Sequence, residues 1–282
     1  MILVTGATGH IGSALTGQLR AHGAGPVRAL TRNTVRAAFP AGVEAVEGDV
    51  TDPVTWQAAL DGVRAVFLLS SLAPDAETLR AARDAGVEHA VLVSSLTVRS
   101  HPHLGPARQN LRAEQTLQDS GLDWTVLRPT QFASNTLMWA ESVRAGEPVR
   151  APYADTALPT VHPADIAAVA RVALTEPGHR GRTYELTGPA PVSPRDQVAA
   201  LAAAVGREVP FEEISREQAR AAMVEVFGAE AADAILDLTG GDTNEELLRV
   251  RGTVARVTGT QARPFRRWAE ENADAFRAGR RA

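Results

Sequence analysis

Three glycines near the amino terminus have the spacing of a phosphate-binding turn. Gly6, Gly9 and Gly12 follow a short apolar run at 2–5, and apolar residues then recur at helical spacing from Ile11 onward. Glycines permit a tight turn and a close approach of backbone N–H groups to a pyrophosphate, and the positive end of the helix dipole adds to the attraction. A strand, a glycine turn and a helix in this order predict a dinucleotide site. A chance glycine turn is the alternative, and the regular series of elements that follows argues against it.

The residue after the second apolar run bears on which dinucleotide binds. An acidic side chain about 20 residues beyond the glycines would bind the ribose 2′-hydroxyl of NAD. The segment 29–33 contains no acid and has Arg32 at that place. A guanidinium suits the bidentate contact with a 2′-phosphate, so the sequence predicts NADPH/NADP as the cofactor. A solvated surface Arg is the other interpretation, because the chain is rich in Arg.

Strands and helices alternate through the first two thirds of the chain. Because the strands are almost continuously apolar, they predict a parallel sheet covered by helices on both faces, a Rossmann-type doubly wound α/β fold. We place the NADP(H)-binding domain at 1–188, with the loop 133–160 contributing to the substrate site. A small α-rich C-terminal substrate-binding lobe follows at 189–282. Strands are predicted at 2–5, 27–31, 43–46, 65–69, 90–93, 124–127 and 183–188.

The motifs of the chain, taken together, resemble the NmrA-like group of atypical short-chain dehydrogenases. This group includes NADPH-dependent quinone reductases, reductases of polyketide ketones from antibiotic pathways, and proteins that only sense NADP and regulate transcription. The resemblance implies the fold and the cofactor more strongly than the activity. Its motifs are GATGHIG (6–12), LTRN (30–33), GDVTD (48–52), VSSL (93–96), GLDWTVLRPTQF (121–132), HPADIA (162–167) and TYELTG (183–188).

The resemblance also implies which residues contact the cofactor. They lie in the glycine turn and at the carboxyl ends of the strands, where ligands bind in an open α/β sheet. They are Gly6, Thr8, Gly9, His10, Ile11, Gly12, Arg32, Asp49, Val50, Leu69, Ser70, Ser94, Pro129, Thr130, Gln131 and Phe132.

A Tyr-x-x-x-Lys pair, usual in short-chain dehydrogenases, is missing from the helix that begins near residue 104. With Glu114 as the anchor of the comparison, Pro106 stands at the tyrosine position and Asn110 at the lysine position. All 29 basic side chains are Arg, so no lysine is available elsewhere in the sequence. We therefore expect hydride transfer without the usual pair, in which positioning of the acceptor lowers the barrier. The proton would come from water, from a substrate hydroxyl or from another side chain.

Three side chains are candidates for the missing catalytic donor. His101, in the loop after the fifth strand, could donate a proton near neutral pH or could simply be polar loop at a pocket rim. Ser95 could hydrogen-bond a carbonyl oxygen or contact only the nicotinamide ribose. Tyr153 lies in a Pro-rich loop that could fold over the site or merely pack. His101 and His103 could bind a metal together, but with no third ligand nearby we predict no metal site.

The portion beyond Gly188 is mostly helical. Helices are predicted near 194–205, 215–227, 229–238 and 263–278, and short strands near 208–214 and 253–258. A wide apolar pocket here would suit a bulky aromatic ketone or quinone better than a sugar nucleotide. The apolar residues that could line this pocket, or form the core of the lobe instead, are Met223, Val226, Phe227, Ile235 and Leu238.

The composition excludes several classes of protein. The 282-residue chain has no Cys and a net charge of −4, with acids and bases interspersed. Disulfides and thiolate chemistry are therefore excluded, and nothing predicts binding to nucleic acid or to a membrane. The sequence shows neither an apolar run of membrane-spanning length nor a signal-peptide pattern, so we expect a cytoplasmic monomer or homodimer with a small-molecule substrate.

The sequence favours an NADPH-dependent reductase of an aromatic or polyketide-type ketone or of a quinone. Such a ketoreductase would be of the kind found in antibiotic biosynthesis. The alternative is a non-catalytic NADP(H)-sensing regulatory protein of the NmrA-like group. The missing pair is compatible with both, and NADPH oxidation with a panel of acceptors distinguishes them.

Overall fold

A parallel sheet forms the centre of the molecule. The computed structural model describes residues 1–72 and 74–277, which contain nine strands. They are β1 (Ile2–Val4), β2 (Val27–Thr31), β3 (Val43–Glu47), β4 (Ala65–Leu69), β5 (His89–Val93), β6 (Asp123–Pro129), β7 (Val149–Ala151), β8 (Arg182–Leu186) and β9 (Phe211–Glu213). Seven of them pair in the order β3-β2-β1-β4-β5-β6-β8, all parallel. The order reverses between β1 and β4, where a doubly wound sheet opens a crevice for a ligand.

Helices cover both faces of this sheet. The α-helices of the described residues, including those that pack away from the sheet, are α1 (His10–Ala21), α2 (Pro53–Ala59), α3 (Ala76–Asp84), α4 (Thr97–Ser100), α5 (Gly105–Gln118), α6 (Ala140–Ala145), α7 (Pro163–Thr175), α8 (Pro194–Val205), α9 (Arg216–Phe227), α10 (Ala229–Leu236), α11 (Glu245–Leu248), α12 (Thr253–Thr258) and α13 (Phe265–Glu271). α1 and α7 bury residues such as Leu15 and Ile166 on one face. α2, α3 and α5 bury Trp56, Leu79 and Leu117 on the other. The predicted Rossmann-type fold is thus confirmed.

The strand sequences follow from this double coverage. β5 reads HAVLV and is buried along its whole length, because helices exclude water from both of its faces. β3 lies at the edge of the sheet, reads VEAVE, and leaves Glu44 and Glu47 exposed. The central strands are therefore buried between two layers of helices, which fix the positions of their carboxyl ends.

A third apolar cluster joins the middle of the chain to its C-terminal helices. Val143 and Val149 pack with Leu201, Phe265 and Trp268. β7 also pairs with β9 as a separate two-stranded parallel ribbon. Part of the segment 133–160 therefore packs with the C-terminal helices, and the boundary at residue 188 stays a prediction.

The predicted strand near 253–258 is wrong, because this segment forms α12. Val254 in this helix is buried in the cluster that contains residues of α1 and α7. The chain then returns to the core domain at Arg263, whose backbone N–H donates to Asp165 Oδ2 at 2.7 Å. In the described ranges no helix is both long and apolar enough to cross a membrane.

Candidate functional site

The glycine turn after β1 has the geometry of a phosphate cradle. Gly6 has a φ of +58°, which favours glycine, and its carbonyl accepts the Gly9 N–H at 2.9 Å. A Cβ at Gly12 would overlap the Gly6 carbonyl oxygen. Gly9 caps α1 without a side-chain hydrogen bond, so the first amide groups of the helix are left for an anion. These residues fit the pyrophosphate of a dinucleotide.

The other predicted residues of this turn differ in exposure. Thr8 and His10 are exposed beside Gly9, where a ligand could meet their side chains. Ile11 is 8% exposed and belongs to the core, so only its backbone could contact a ligand. The turn therefore presents backbone donors, with Thr8 and His10 at its rim.

Arg32 and Asp49 lie beyond the ends of β2 and β3, on the side of the crevice away from β4. Arg32 is exposed. Hydrogen bonds from the Thr51 backbone N–H and hydroxyl hold the pKa of Asp49 below its ordinary value, and the charge of Arg32 acts in the same direction. Val50 is buried. This end of the crevice offers a guanidinium and an ionised carboxylate to the adenosine half of a dinucleotide.

Glu114 joins the carboxyl ends of β5 and β6. The Ser94 hydroxyl, directly after β5, donates to Glu114 Oε1 at 2.5 Å. Arg128 in β6 donates from Nε to the same oxygen at 2.9 Å and from Nη2 to Oε2 at 2.5 Å. The Glu114 side chain is only 1% exposed, and its hydrogen bond raises the pKa of Arg128. A buried carboxylate needs such partners, so this network fixes α5 against both strand ends.

Asn110, at the position of the absent lysine, is held by the end of β4. The Ser70 hydroxyl donates to Asn110 Oδ1 at 2.6 Å. Leu69, the last residue of β4, lies against the glycine turn, because a Cβ at Gly6 would come within 2.6 Å of its Cδ1. Asn110 and Ser70 thus form a neutral hydrogen-bonded pair where a short-chain dehydrogenase usually has an ammonium group.

Residues 129–132 carry β6 beyond the sheet. The Thr130 hydroxyl donates to the Pro159 carbonyl at 2.7 Å. Gln131 donates from Nε2 to the Leu238 carbonyl at 3.2 Å. This segment therefore lies between the loop that contains Pro159 and the C-terminal helices, next to the predicted acceptor site.

Ser95 caps the short helix α4. Its Oγ accepts the Thr97 N–H at 3.2 Å and the Thr97 hydroxyl at 2.9 Å. Because both bonds are accepted, the Ser95 hydroxyl hydrogen remains available as a donor. This arrangement leaves open the predicted contact with a carbonyl oxygen or a ribose.

His101 is fully buried, and both of its ring nitrogens have partners. Nδ1 lies 2.8 Å from Ser100 Oγ and Nε2 lies 2.6 Å from the Asp242 carbonyl oxygen. With Nε2 donating to that carbonyl and Nδ1 accepting from Ser100, neutral His101 has no free site. Its exposure of 0% keeps substrate away from the ring, which argues against the predicted role as proton donor. In the described part of the chain, no group of three metal-ligating side chains forms around it or elsewhere.

Tyr153 is half-buried and belongs to a small polar cluster. Its φ of +58° makes it the one residue other than glycine with a positive φ in the described ranges, a strained conformation. Its hydroxyl accepts from Arg216 Nη1 at 3.0 Å, and Arg216 Nη2 donates to Asp237 Oδ1 at 2.7 Å. A Cβ at Gly240 would lie 2.5 Å from the Tyr153 Cβ. Tyr153 therefore packs against the chain after α10 and keeps its own hydroxyl hydrogen free.

Two arginines at this site, Arg128 and Arg216, are not among the residues predicted from the sequence. In a chain with so many Arg residues, a surface Arg and a buried one look alike. Arg128 carries one signal, since it interrupts the apolar run WTVL at the end of a predicted buried strand. Arg216 carries none, because its partners Tyr153 and Asp237 are distant in sequence.

The comparisons with known proteins agree with this geometry. Residues 6–177 match the NAD(P)H-binding family. A (4-alkanoyl-5-oxo-2,5-dihydrofuran-3-yl)methyl phosphate reductase of Streptomyces griseus is 42% identical over 282 residues, which span 98% of this chain and 99% of the relative. An NAD(P)H azoreductase of Xenophilus azovorans is 37% identical over 286 residues, spanning 99% of this chain and all of the relative.

A solved structure is similar over the same length. The NADPH-dependent quinone oxidoreductase of Escherichia coli, complexed with NADPH, superposes with a TM-score of 0.78 and 27% identity over 96% of this chain and 99% of the other. The predictions of a nicotinamide dinucleotide cofactor and of an oxidoreductase are thereby confirmed. Because the match covers residues 6–177, more than half of this chain, the chain belongs to the NAD(P)H-binding family, as an atypical short-chain dehydrogenase/reductase of the NmrA-like group.

Proposed function

We propose that the protein is an NADPH-dependent reductase of conjugated, electron-poor acceptors, quinones and polyketide-type aromatic ketones among them. The observation that carries this proposal is the Ser70–Asn110 pair, with Pro106 one turn earlier on α5. No phenol and no ammonium stand at the places where a short-chain dehydrogenase holds its proton relay. The acceptor must therefore be one that takes up a hydride without a strong side-chain acid.

The chemistry of the acceptor decides how much acid is needed. Bound NADPH supplies a hydride. A hydride added to an isolated ketone leaves a localised alkoxide, and general acid help is then worth about 10²–10⁴-fold. A hydride added to a quinone, or to a double bond conjugated with carbonyls, leaves a delocalised anion that can take its proton from water or from a neighbouring substrate hydroxyl. Pre-positioning in the pocket is then the main contribution of the protein.

The names of the relatives support this class of acceptor. The Streptomyces griseus enzyme is named for a phosphate ester whose ring double bond is conjugated with a ring carbonyl and an alkanoyl group. The other two relatives are named for azo and quinone reduction. All three names describe conjugated acceptors. The polyketide ketone is the narrower part of the proposal, and it draws its support from the resemblance and from the Streptomyces relative.

NADPH oxidation with matched acceptors tests the proposal. We expect steady loss of NADPH absorbance with a naphthoquinone, faster loss when a hydroxyl lies beside the carbonyl, and little with a saturated cyclic ketone of similar size. The Gly9→Val variant, whose side chain obstructs the phosphate cradle, serves as a control and should oxidise none. Equal rates with the saturated ketone would contradict the proposed acceptor class. NADPH binding with no oxidation by any acceptor would favour the NADP(H)-sensing alternative.

A further inference from the structure

The α9–α10 hairpin and the turn after it are attached to the rest of the molecule in an unusual way. We refer to residues 215–242 as the cap. Its fully buried side chains are three alanines and one leucine, Ala219, Ala232, Ala234 and Leu236. Val226 is 72% and Phe227 50% exposed. A segment with so few buried apolar contacts has a low free energy of local opening.

The end of the cap lies against the carboxyl ends of β5 and β6. Gln131, just past β6, donates to the Leu238 carbonyl, and His101 contacts the Asp242 carbonyl. Asn244 donates from Nδ2 to the Ser100 carbonyl at 2.8 Å. With the pyrophosphate at α1, the nicotinamide half of a dinucleotide extends toward these strand ends. The cap therefore ends over the place where the nicotinamide and the acceptor must meet.

A second contact places α10 on the start of α5. The Glu230 side chain of α10 reaches the backbone of Gly105, where a Cβ would overlap its carboxylate, and the two helices pack together. Gly105 immediately precedes Pro106, at the position of the absent tyrosine. The cap thus covers the helix end that carries the proton relay in other short-chain dehydrogenases.

The third contact is polar and includes the strained residue. Arg216, at the start of α9, joins the Tyr153 hydroxyl to the Asp237 carboxylate. Gly240 and Gly241 leave room for the Tyr153 ring. Side chains at partly exposed polar contacts separate at low cost, because water replaces the bonds that are lost.

We propose that the cap is a lid that opens as a unit to admit the nicotinamide half of NADPH and the acceptor, and closes through the contacts of His101, Gln131 and Tyr153. His101 and Tyr153 are then positioning residues that act through the cap. The acceptor part of this inference rests on the proposed function, whereas the cofactor part rests on the family. Closure would hold the acceptor against the nicotinamide.

A reversible covalent lock tests the lid directly, because the chain has no Cys of its own. The double variant Gly105→Cys/Glu230→Cys places one thiol on each side of this contact, so that oxidation can join α5 to α10 through a disulfide. NADPH exchange is measured by stopped-flow fluorescence on the oxidised and the reduced protein. We expect oxidation to slow NADPH association and release by at least about tenfold, and reduction to restore both rates.

Two controls separate the lid from other effects. Adenosine 2′,5′-bisphosphate, which lacks the nicotinamide half, should bind the locked and unlocked proteins at equal rates. The single variants Gly105→Cys and Glu230→Cys should not respond to oxidation. Equal NADPH exchange rates in the oxidised and reduced double variant would overturn the inference. This readout needs no acceptor, so a failure of the proposed quinone reduction leaves it unaffected.

Hydrogen exchange provides a second measurement if the disulfide does not form. In the unsubstituted protein, NADPH should slow amide exchange across residues 216–241 by at least about tenfold, because the bound nicotinamide favours the closed lid. Amides of β4 and β5, which stay buried in both states, serve as the internal reference. Unchanged exchange in the cap on NADPH binding would overturn the inference.

Discussion

The Glu114 network and the cap differ in how they are held to the same strand ends. Glu114 is buried, and each of its oxygens accepts a hydrogen bond from Ser94 or Arg128. The cap buries few large side chains, exposes Phe227, and is attached through polar contacts such as that between Arg216 and Tyr153. The first arrangement fixes the strand ends that we predict to contact the cofactor, and the second permits the proposed lid motion over them. The fixed region is therefore buried and fully hydrogen-bonded, whereas the region proposed to move is largely exposed.

Loss of Glu114 should have the largest effect on stability. Glu114→Ala leaves Arg128 without its carboxylate partner in a largely buried site, so we expect about 3–5 kcal/mol of destabilisation in denaturant unfolding. Glu245→Ala, which removes an exposed carboxylate paired with Arg249, is the matched control and should change stability by less than about 1 kcal/mol. A loss below 1 kcal/mol for Glu114→Ala would remove the distinction between the fixed network and the cap.

Low pH should reduce the free energy of unfolding through His89, which lies at the start of β5 in the sheet and not in the cap. Burial lowers the pKa of His89 from 6.5 to about 4, and the charge of Arg180 adds to the shift. The unfolded chain therefore binds a proton that the folded protein does not, and stability falls as the pH drops from 6.5 toward 4. The shift corresponds to about 3 kcal/mol. Urea unfolding at several pH values checks this, and His89→Gln should lose this part of the acid sensitivity.

Arg32 lies directly after β2, outside both the Glu114 network and the cap. If its guanidinium contacts a 2′-phosphate, Arg32→Ala should reduce the preference for NADPH over NADH by about 1.5–3 kcal/mol, or roughly ten- to a hundredfold. Titration calorimetry with both cofactors measures the preference, and Arg36→Ala provides a nearby exposed control. Equal affinity of the unsubstituted protein for the two cofactors would show that Arg32 does not select the phosphate.

The smallest effect on global stability is expected in the cap contacts. Tyr153→Phe removes one partly exposed hydrogen bond to Arg216, so it should lower the free energy of unfolding by less than about 1 kcal/mol.

Tyr153→Phe, His101→Ala and Ser95→Ala should each reduce kcat less than about 100-fold, because none is expected to be a required acid. A larger loss in any of them, with NADPH affinity intact, would identify a catalytic acid and refute this interpretation.

Local sequence patterns predicted the elements that carry their own signals. The glycine turn, the apolar strands and α8 at Pro194–Val205 were found where expected, since periodicity, caps and glycines specify them locally. The strand predicted near 253–258 is not formed. The segment became a helix because packing of Val254 on the core overrides a weak propensity.

The roles of His101 and Tyr153 could not be derived from their neighbours in sequence. Both were selected as titratable side chains in loops, yet each contacts the chain that follows α10, at Asp242 and Gly240. Sequence separations of 141 residues for the His101 bond and 63 for the bond of Tyr153 to Arg216 explain why local reasoning missed these partners. Only the fold shows that two candidate acids meet one mobile segment.

The pH dependence of hydride transfer in a single turnover, with NADPH bound and a naphthoquinone in excess, tests most directly whether the reaction proceeds without a side-chain acid. If the proton comes from water after charge has spread over the acceptor, the rate should vary less than about threefold between roughly pH 6 and pH 9. A rate that falls about tenfold per pH unit above a single pKa, and loses that dependence in Tyr153→Phe or His101→Ala, would contradict this mechanism.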